Sequence, residues 1–492
     1  MNNPVSTGDV AALLGDWASR GCGSLAARLA FALRSRILAD LLAPGTVLPP
    51  ERPLADALAV SRSTLVAALD LLRSEGLVTS RQGSGTRVAG PPASGVHPSR
   101  TVATIERPRE GTASPTMAAR LLGAAERGIN FGISAPPAAS QLPALTVTTA
   151  DLLATVPSHG YEPAGLAVLR AALADRHAAA GLPTATEQIQ VTHGAQHAID
   201  LALATLCRPG APVAVEDPTY PGVLDVIAAR GLRAVPLAAD ARGPTAAALE
   251  AAGRDHGASV AFLLPAVHSP TGRVLDPGRR QALARALDRL DMTVVEDNTV
   301  ADLAYDQPRP PALAALCRKA TVLTVETTSK VAWGGLRIGW LRGPAGFIER
   351  SARARTSADL GCSVPAQLLA LQLLDHYDDL ISTRRVMLRA SAARFAVLLA
   401  GAIPGCTFEP PAGGLSVWVR LPGGADAAAF ASRALRHGVS VAPGPFASPD
   451  GGHGHLRLCH DRPDEELTEG AARLSIAWAE TAGPPVTATA RP

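Results

Sequence analysis

The sequence predicts two folded domains of different class: a small α+β domain at the N-terminus and a large α/β domain that fills most of the chain. At 492 residues the chain is too long for one ordinary hydrophobic core. Helical apolar periodicity followed by a hairpin pattern marks residues 22–88. From about residue 116, short apolar runs alternate with helical stretches rich in Ala, Leu and Arg, which is typical of a largely parallel sheet. The large domain is expected at residues 116–480, with a smaller α/β subdomain at its C-terminal end.

Composition excludes several protein classes. Apolar residues make up 47% of the chain and the mean hydropathy is +0.15. No apolar run approaches the roughly 20 residues that a spanning helix needs, and the polar start from Met1 to Asp9 is unlike a signal peptide. The six cysteines form no CxxC pair and have no histidine cluster beside them, so neither a zinc site nor a disulfide framework is expected. These features predict a cytoplasmic protein with reduced cysteines and no metal.

The first helix of the N-terminal domain is expected to begin after Ser24, which can cap it, and to end near Asp40, ahead of a Pro-Gly turn. Its apolar residues recur every four positions and so form one apolar stripe: Leu25, Leu29, Leu33 and Ile37. The pattern therefore predicts an amphipathic helix with one face in the domain core.

Two further helices and a hairpin follow in the same domain. A short helix carries Leu54 and Leu58, and a third helix is capped by Ser61 and stopped by Gly76. The buried face of the third helix is formed by Leu65, Leu69 and Leu72. The two hairpin strands are expected at residues 77–80 and 86–88, with Gly83 and Gly85 supplying the backbone freedom of the turn.

Three helices followed by a basic hairpin are the pattern of a winged helix-turn-helix, whose third helix enters a DNA major groove. Between Cys22 and Gly90 there are eight arginines and five acidic residues. The segment from Leu48 to Val88, LPPERPLADALAVSRSTLVAALDLLRSEGLVTSRQGSGTRV, resembles the GntR family of transcription regulators. The resemblance implies a double-stranded DNA operator as partner.

Six residues are candidates for contacting that DNA. The first turn of the third helix is the place from which an arginine reads guanine and hydroxyls reach phosphates. The candidates on this helix are Arg62, Ser63 and Thr64, and the GntR resemblance adds Arg52 before the second helix with Gln82 and Gly83 at the wing tip. Val66 departs from relatives that have an arginine there. The alternative for any single arginine is a solvated surface charge.

Two segments are expected to lack a fixed structure. Residues 89–115 are rich in Pro, Gly, Ser and Thr without an apolar period, which predicts a flexible linker. Residues 481–492 form a similar tail. A linker of this kind predicts a hinge between two independent domains.

Lysine usage singles out one residue of the large domain. The chain has only two lysines, Lys319 and Lys330, among 46 basic residues. An imine with an aldehyde cofactor needs an amine that can lose its proton, and a guanidinium cannot do this. Lys330 lies in VETTSKVAWGGLRIGW, which resembles the cofactor-lysine segment of fold-type I aminotransferases. The resemblance implies pyridoxal 5'-phosphate bound to Lys330, with Thr327, Ser329 and Arg337 on its phosphate; the alternative is a structural lysine.

Three more segments occur in the order that the same fold requires. VTHGAQHAIDLAL resembles the turn that binds the phosphate with backbone amides at a helix N-terminus, here those of Gly194, Ala195 and Gln196. EDPTYPG places Tyr220 where the family stacks a ring on the pyridine, and VVEDNTVADL places Asp297 where a carboxylate keeps the pyridine nitrogen protonated. A buried aspartate at a strand end also caps helices, so that alternative stays open for Asp297.

Two residues bear on the partner subunit and on the ligand. In GYEPAGLAVLRAAL, the resemblance implies that Tyr161 reaches the phosphate of the partner subunit, hence a homodimer with shared sites. In HLRLCH, it implies that Arg457 binds a substrate or effector carboxylate through both guanidinium nitrogens. The alternative for Arg457 is a structural salt bridge.

At two positions the sequence departs from the aminotransferase pattern. Relatives commonly carry Asn and Tyr where this chain has Ser269 and Val300, and both of those side chains bond the phenolic oxygen of the cofactor. Ser269 keeps a weaker donor, whereas Val300 has none. These substitutions weaken the case for fast transamination more than the case for cofactor binding.

A GntR-like head joined to an aminotransferase-like domain is the arrangement of the MocR subfamily, and the resemblance covers nearly all of residues 22–480. It implies a DNA-binding transcription regulator that senses pyridoxal phosphate, an amino compound, or both. One alternative is an active aminotransferase that carries a DNA-binding head. Another is a plain DNA-binding dimer whose large domain has lost its cofactor.

Overall fold

A computed structural model describes residues 6–15, 17, 24–38, 41–42, 45–74, 77–81, 85–88, 128–134, 142–156 and 159–482. The chain divides into two compact units, Met1–Thr104 and Ile105–Pro492. Within the described ranges no helix is both long and apolar enough to cross a membrane. The predicted linker at residues 89–115 lies outside these ranges, as do Gln82 and Gly83.

The first unit consists of four helices and a two-stranded hairpin. They are α1 (Thr7–Leu14), α2 (Leu25–Leu38), α3 (Glu51–Ala57), α4 (Arg62–Ser74), β1 (Val78–Arg81) and β2 (Gly85–Val88). The hairpin is antiparallel, with Val78 opposite Val88 and Arg81 opposite Gly85. Val47 adds a bridge to Arg87 on the outer side of β2. The three predicted helices and the hairpin are confirmed, with ends at most two residues from the expected positions. Of the predicted stripe on α2, Leu29, Leu33 and Ile37 are buried, whereas Leu25, at the first position of the helix, is 47% exposed.

Helix α1 was not expected from the sequence. Ser6 and Asp9 form a capping box at its N-terminus. Val10 and Leu14 are buried in the same apolar cluster as Leu29 and Leu65, and Trp17 joins them. The head therefore extends in front of the predicted range of residues 22–88.

The large unit is built on a seven-stranded sheet. In chain order the strands of this unit are β3 (Ile129–Asn130), β4 (Ile189–Thr192), β5 (Pro212–Glu216), β6 (Arg233–Leu237), β7 (Ala239–Asp240), β8 (Gly243–Pro244), β9 (Val260–Leu263), β10 (Thr293–Asp297), β11 (Val322–Thr327), β12 (Gly339–Arg342), β13 (Ser416–Arg420), β14 (Val439–Ser440), β15 (Ala442–Pro443) and β16 (His455–Cys459). The large sheet has the order β4-β12-β11-β10-β9-β5-β6. Only β12 runs antiparallel to its neighbours, which confirms a largely parallel sheet.

Helices cover both faces of this sheet. They are α5 (Thr149–Thr155), α6 (Ala167–Ala179), α7 (Ala195–Leu206), α8 (Pro221–Ala229), α9 (Ala246–His256), α10 (Pro277–Leu290), α11 (Leu313–Leu316), α12 (Ala345–Arg355), α13 (Val364–Leu374), α14 (Tyr377–Ala402), α15 (Ala427–Arg436) and α16 (Asp464–Ala482). Alternate strand residues point to opposite faces: Val213 and Val215 pack with α7, α8 and α12, and Ala214 packs with α9 and α10. The result is a three-layer α/β domain.

A smaller α/β subdomain occupies the C-terminal part, as expected. Strands β13, β16 and β15 form an antiparallel sheet, and helices α14, α15 and α16 pack on it around Phe395, Phe430 and Leu458. Phe131, from the first described segment of this unit, is buried in the same cluster. Helix α16 runs to Ala482, so Thr481 and Ala482 are helical and do not belong to a disordered tail; residues 483–492 lie outside the described ranges.

Candidate functional site

Several predicted site residues of the large domain lie at the carboxyl ends of the central strands, where ligands of open α/β sheets bind. Asp297 is the last residue of β10, and Thr327 is the last residue of β11. Ser329 and Lys330 follow within three residues of Thr327, and Tyr220 follows the end of β5. The parallel sheet thus brings segments that are more than 100 residues apart in the chain to one edge.

Lys330 is half-buried, and its amine lies among polar groups of the site. Its Nζ donates a hydrogen bond to the carbonyl oxygen of Ser134. Burial and then the nearby guanidinium of Arg457 lower the pKa of the Lys330 amine, while Asp297 acts in the opposite direction. A lowered pKa increases the fraction of neutral amine, which is the nucleophilic form.

Asp297 is a buried carboxylate at the strand end, 2% exposed. Its Oδ1 accepts a hydrogen bond from the backbone N–H of Thr299 at 2.9 Å. Burial raises the pKa of Asp297, and the hydrogen bond with Thr299 and the charge of Lys330 lower it. This hydrogen bond caps no helix, because the short helix that follows, Ala301–Leu303, has Val300 at its N-cap.

The turn before α7 approaches Arg337 closely. Gly194 has φ +80° and precedes Ala195, the first residue of the helix. The Arg337 guanidinium donates a hydrogen bond to the carbonyl oxygen of His193 at 2.8 Å. A Cβ at Gly194 would lie 3.1 Å from this guanidinium, and a Cβ at Gly339 would lie 2.6 Å from the Gly194 backbone. Glycine is therefore required at Gly194 and Gly339. The backbone amides at the start of α7 lie beside the Arg337 cation, and together they form a suitable site for an anion.

Side chains around this turn are held by one another. The Tyr220 hydroxyl donates to Gln196 Oε1 at 3.0 Å, and the Gln196 amide donates to the carbonyl oxygen of Gly222 at 2.7 Å. The Thr327 hydroxyl lies 2.9 Å from the Ser329 hydroxyl. Burial raises the pKa of Tyr220, so its phenol stays protonated. Gln196, the second residue of α7, therefore also holds the Tyr220 side chain in place.

Arg457 is a buried cation without an acidic partner. It lies on β16, is 2% exposed, and donates a hydrogen bond to the carbonyl oxygen of Gly132. Its Nε has no hydrogen-bond partner, and its guanidinium lies 5.9 Å from the centre of the Phe446 ring. No ion pair involves Arg457 in the described part of the chain, so the structural salt bridge considered as an alternative is not found there. A buried cation with an open donor is suited to a carboxylate ligand.

Two site residues were missed from the sequence. Gly132 and Ser134 supply the carbonyl oxygens that bind Arg457 and Lys330, and the Ser134 hydroxyl is buried without a partner. Both belong to a short segment, residues 131–134, that carries no motif or periodic pattern. The packing of Phe131 into the small subdomain and its backbone hydrogen bonds with Ser440 and Cys459 bring this segment to the site.

Val300 and Ser269 are the two positions at which the sequence departs from the aminotransferase pattern. Val300 is 6% exposed and packs with Val267 and Val331, so an apolar side chain occupies its position. Ser269 is half-buried between His268 and Pro270. Of these two positions, only Ser269 carries a hydroxyl.

Tyr161 lies apart from these groups within the single chain. Its side chain is 58% exposed, and its ring stacks on His159 with the ring centres 5.4 Å apart. The described contacts of one chain do not bring Tyr161 to Lys330.

In the head, the predicted DNA-contacting arginines lie on the surface. Arg62 begins α4 with its side chain 69% exposed, and its guanidinium pairs with Glu51 at 3.1 Å. Ser61 caps α4 by accepting a hydrogen bond from the Thr64 N–H at 3.1 Å, and its hydroxyl lies 2.8 Å from those of Ser63 and Thr64. Arg52 is exposed in the first turn of α3. The ion pair of Arg62 with Glu51 was not expected from the sequence.

The donor set of the large domain fits one class of cofactor. A lysine amine with a lowered pKa suits an aldehyde, the glycine-dependent turn beside Arg337 suits a phosphate, and the buried Asp297 suits a protonated pyridine nitrogen. The unpartnered Arg457 Nε and Ser134 hydroxyl leave polar atoms open for a ligand. Together these groups match pyridoxal 5'-phosphate.

Comparisons with known proteins agree with both domains. The model of the gntR family of bacterial regulatory proteins matches residues 25–88, and that of aminotransferase class I and II matches residues 126–474. An uncharacterised HTH-type transcriptional regulator of Bacillus subtilis, YisV, is 30% identical over 84% of this chain and 87% of its own length. The 2-aminoadipate transaminase of Thermus thermophilus is 30% identical over 65% of this chain and 80% of its own length.

Solved structures resemble the large domain. An α-aminoadipate aminotransferase from Thermus thermophilus, complexed with N-(5'-phosphopyridoxyl)-L-leucine, matches with a TM-score of 0.66 and 27% identity, over 75% of this chain and 96% of that chain. A kynurenine aminotransferase from Pyrococcus horikoshii, in complex with PMP, matches with a TM-score of 0.67 and 25% identity, over 76% and 96%. The chain belongs to the aminotransferase class I and II family and, through its gntR-family head, to the MocR-like transcription regulators that have pyridoxal 5'-phosphate as their cofactor.

Proposed function

We propose that this regulator is a homodimer that binds pyridoxal phosphate at Lys330 and responds to an amino compound whose carboxylate is bound by Arg457. The observation that carries the proposal is the buried Arg457 guanidinium, which interacts with Lys330 and has no acidic partner in the described residues. A buried cation without a counter-ion is costly. A carboxylate ligand would offset that cost.

Named residues would hold the cofactor. Arg337, Thr327 and Ser329 would bind the phosphate, together with the amides of Gly194, Ala195 and Gln196 at the start of α7. Gln196 holds the Tyr220 hydroxyl, and the Tyr220 ring would flank the pyridine, while Asp297 would hold a proton on the pyridine nitrogen. When bound, the cofactor supplies an aldehyde that condenses with amines and an electron-withdrawing ring.

The remaining side chains orient the effector. Lys330 would hold the cofactor through its amine, because burial lowers the pKa of that amine and favours the neutral, nucleophilic form. Arg457 would bind the carboxylate through its open Nε and would orient the amine toward Lys330. Ser269 would donate a hydrogen bond to the phenolic oxygen of the cofactor, which Val300 cannot do. The effector class is therefore an amino acid or a related amino carboxylate.

The dimer belongs to the same proposal. An exposed tyrosine beside a surface histidine is suited to an interface because Tyr buries a large area with one polar end. Tyr161 would reach the phosphate of the partner subunit. This accounts for a predicted cofactor residue that does not meet the site within one chain.

In the head, we propose that Arg62, Ser63 and Thr64 face a major groove, that Arg52 contacts the phosphate backbone, and that Gln82 and Gly83 form the wing tip. The support is the exposure of Arg52 and Arg62 at the starts of α3 and α4. An effector changes DNA affinity only by its different affinity for two states of the dimer.

A second candidate function is amino transfer itself. Two observations favour it: the 30% identity with the 2-aminoadipate transaminase, and the neutral-amine environment of Lys330. Val300 opposes it, because an apolar side chain at this position donates no hydrogen bond to the phenolic oxygen. Turnover of L-2-aminoadipate with 2-oxoglutarate, measured as glutamate formed, would support this candidate.

The two lysines of the chain allow a matched test of the cofactor site. Full-length wild type, Lys330→Ala and Lys319→Ala are mixed with pyridoxal phosphate, and visible absorption is recorded before and after reduction with borohydride. Wild type and Lys319→Ala are expected to show a visible band and a covalent adduct after reduction, and Lys330→Ala neither. An adduct retained in Lys330→Ala, or no band in any protein, contradicts the proposal.

A further inference from the structure

A cluster of three side chains beside the phosphate turn has no role in the proposed function. His193 precedes α7 and His197 lies in its first turn, four residues later, so both imidazoles lie on one side of the helix start. Asp359 comes from the loop after α12. Their ligand atoms all lie within 4.8 Å of one another.

The distances in this cluster are too long for hydrogen bonds. The Nε2 atoms of His193 and His197 each lie 3.6 Å from Asp359 Oδ2, beyond the usual limit of about 3.2 Å for N–H···O bonds. A tetrahedral zinc ion with bonds of about 2.0–2.1 Å separates its ligand atoms by roughly 3.4 Å. The spacing of each imidazole from the carboxylate is therefore close to that of two ligands of one zinc ion.

The carboxylate is held so that one oxygen stays available. Asp359 Oδ1 accepts hydrogen bonds from the Arg355 guanidinium and from the backbone N–H of Gly361 at 2.9 Å. Arg355 is fully buried and donates a further hydrogen bond to the carbonyl oxygen of Val191 at 2.6 Å. These contacts fix Oδ1 and direct Oδ2 toward the two imidazoles. The side chains are 40%, 18% and 28% exposed at His193, His197 and Asp359, so an ion can enter from solvent.

Metal binding has a cost in hydrogen bonding. His197 Nδ1 accepts a hydrogen bond from the backbone N–H of His193 at 3.2 Å. A metal ligand is the neutral imidazole, so a metal on Nε2 requires the proton on Nδ1. That bond is lost when the metal binds.

We propose that His193, His197 and Asp359 bind one zinc ion, with a water molecule or an exchangeable anion as the fourth ligand. Two imidazoles and a carboxylate with one open position are a common zinc donor set. The positive charges of Arg355 and Arg337 oppose the ion, and Asp359 offsets one of them. No cysteine takes part, so this site lies outside the cysteine pattern from which the sequence predicted no zinc.

The site is adjacent to the phosphate turn. His193 is followed by Gly194, and its carbonyl oxygen accepts the hydrogen bond of Arg337. A zinc ion on the His193 side chain would hold this turn in place. Zinc occupancy and cofactor affinity are therefore expected to be linked, and by thermodynamic reciprocity each ligand changes the affinity for the other by the same factor.

The test uses the full-length protein freed of metals with a chelator and without cofactor. Zinc is titrated in competition with a chromophoric chelator, and Co²⁺ is used in parallel for its visible absorption. Wild type is compared with His193→Gln and His197→Gln, and with His256→Gln as an exposed control histidine. We expect one zinc equivalent per wild-type chain, affinity lowered by about tenfold or more in both ligand variants, and no change in the control.

Circular dichroism of each variant checks that it is folded. The double variant His193→Gln/His197→Gln is also titrated with zinc. Zinc affinity equal in wild type and the double variant contradicts the proposal, as does the absence of a bound equivalent in wild type. Since the readout is zinc alone, its failure leaves the Lys330 proposal unaffected.

Discussion

Two arginines show how differently the two domains use the same side chain. Arg62, in the head, is 69% exposed and pairs with Glu51 at 3.1 Å. Arg457, in the large domain, is 2% exposed, contacts a backbone carbonyl oxygen and has no ion pair among the described residues. An exposed pair contributes little to stability and exchanges partners readily. A buried unpaired cation lowers the stability of the fold through its desolvation, and it is available to bind a ligand.

The difference teaches how each domain recognises its partner. The head offers solvated charges, which suit a polyanion whose contacts are numerous and individually weak. The large domain offers one desolvated charge beside a buried amine, which suits a small ligand that is bound tightly by few groups. Substitutions at the two arginines are therefore expected to have effects of different kind and size.

The largest expected effect is on effector binding in Arg457→Met. We expect the binding free energy of a trial effector, L-2-aminoadipate, to fall by about 2–5 kcal/mol in the cofactor-loaded protein, because a buried charge pair is lost. Calorimetry measures it. Arg420→Met, an exposed arginine on the neighbouring strand β13, is the control and should bind as wild type. Equal affinity in wild type and Arg457→Met would show that the guanidinium does not bind the carboxylate.

The same substitution separates ligand binding from stability. In the cofactor-free protein, Arg457→Met is expected to leave the thermal unfolding temperature unchanged or higher, because a Met of similar length replaces an unpaired buried charge. A large decrease in unfolding temperature would mean that Arg457 is a structural residue.

A smaller effect is expected in the head. Arg62→Ala should weaken binding to a cognate duplex, selected from a random pool by the wild-type protein, by about 1–3 kcal/mol if Arg62 contacts a base. Glu51→Gln should strengthen it, because the competing ion pair is removed. Fluorescence anisotropy on cognate and unrelated duplexes measures both. An equal loss on every sequence would make Arg62 a phosphate contact, and an unchanged affinity would place α4 away from the DNA.

Removing the cap of the same helix should have a still smaller effect. Ser61→Ala loses the hydrogen bond from the Thr64 N–H at 3.1 Å, and we expect the head to lose about 1 kcal/mol of unfolding free energy. Hydrogen exchange of the α4 amides in the full-length protein reports this locally. Ser80→Ala, in the wing strand β1, is a comparison without a helix cap. Unchanged exchange in Ser61→Ala would show that the cap does not stabilise α4.

The smallest effect is a shift in the pH dependence of cofactor attachment. Attachment needs the neutral Lys330 amine, so it increases as pH rises through the pKa of Lys330. Arg457 lowers that pKa and Asp297 raises it. The pH midpoint of the visible band is therefore expected to move up in Arg457→Met and down in Asp297→Asn. Shifts in the reverse direction would mean that these charges do not act on the amine.

Much of the fold could be predicted because local patterns and tertiary packing agree. The four-residue spacing of Leu25 to Ile37, the cap at Ser61 and the apolar runs of the central strands all match elements of the structure. Helix α1 was missed because its eight residues are stabilised by packing of Val10 and Leu14 on the head core. Helix α16 ends at Ala482, two residues beyond the end expected from the sequence, because the sequence pattern alone does not fix a helix end.

The candidate site was predictable where its residues follow strand ends in short motifs, as Asp297, Lys330 and Gly194 do. The residues missed have no such signal. Gly132 and Ser134 act through backbone carbonyl oxygens, which any residue type has, and Glu51 meets Arg62 only through the packing of α3 on α4. The four-residue spacing of His193 and His197 underlies the proposed zinc site, and it lies apart from the cysteines on which the expectation of no zinc was based.

The central claim is that the ligand state of the Lys330 site controls DNA binding, and one measurement tests it most directly. The affinity for the selected duplex is measured by anisotropy with no ligand, with pyridoxal phosphate, and with pyridoxal phosphate plus L-2-aminoadipate, in wild type and Lys330→Ala. The account predicts that wild-type affinity changes by about 5–150-fold between ligand states and that Lys330→Ala is unresponsive. Wild-type affinity that is the same in all three states would contradict it.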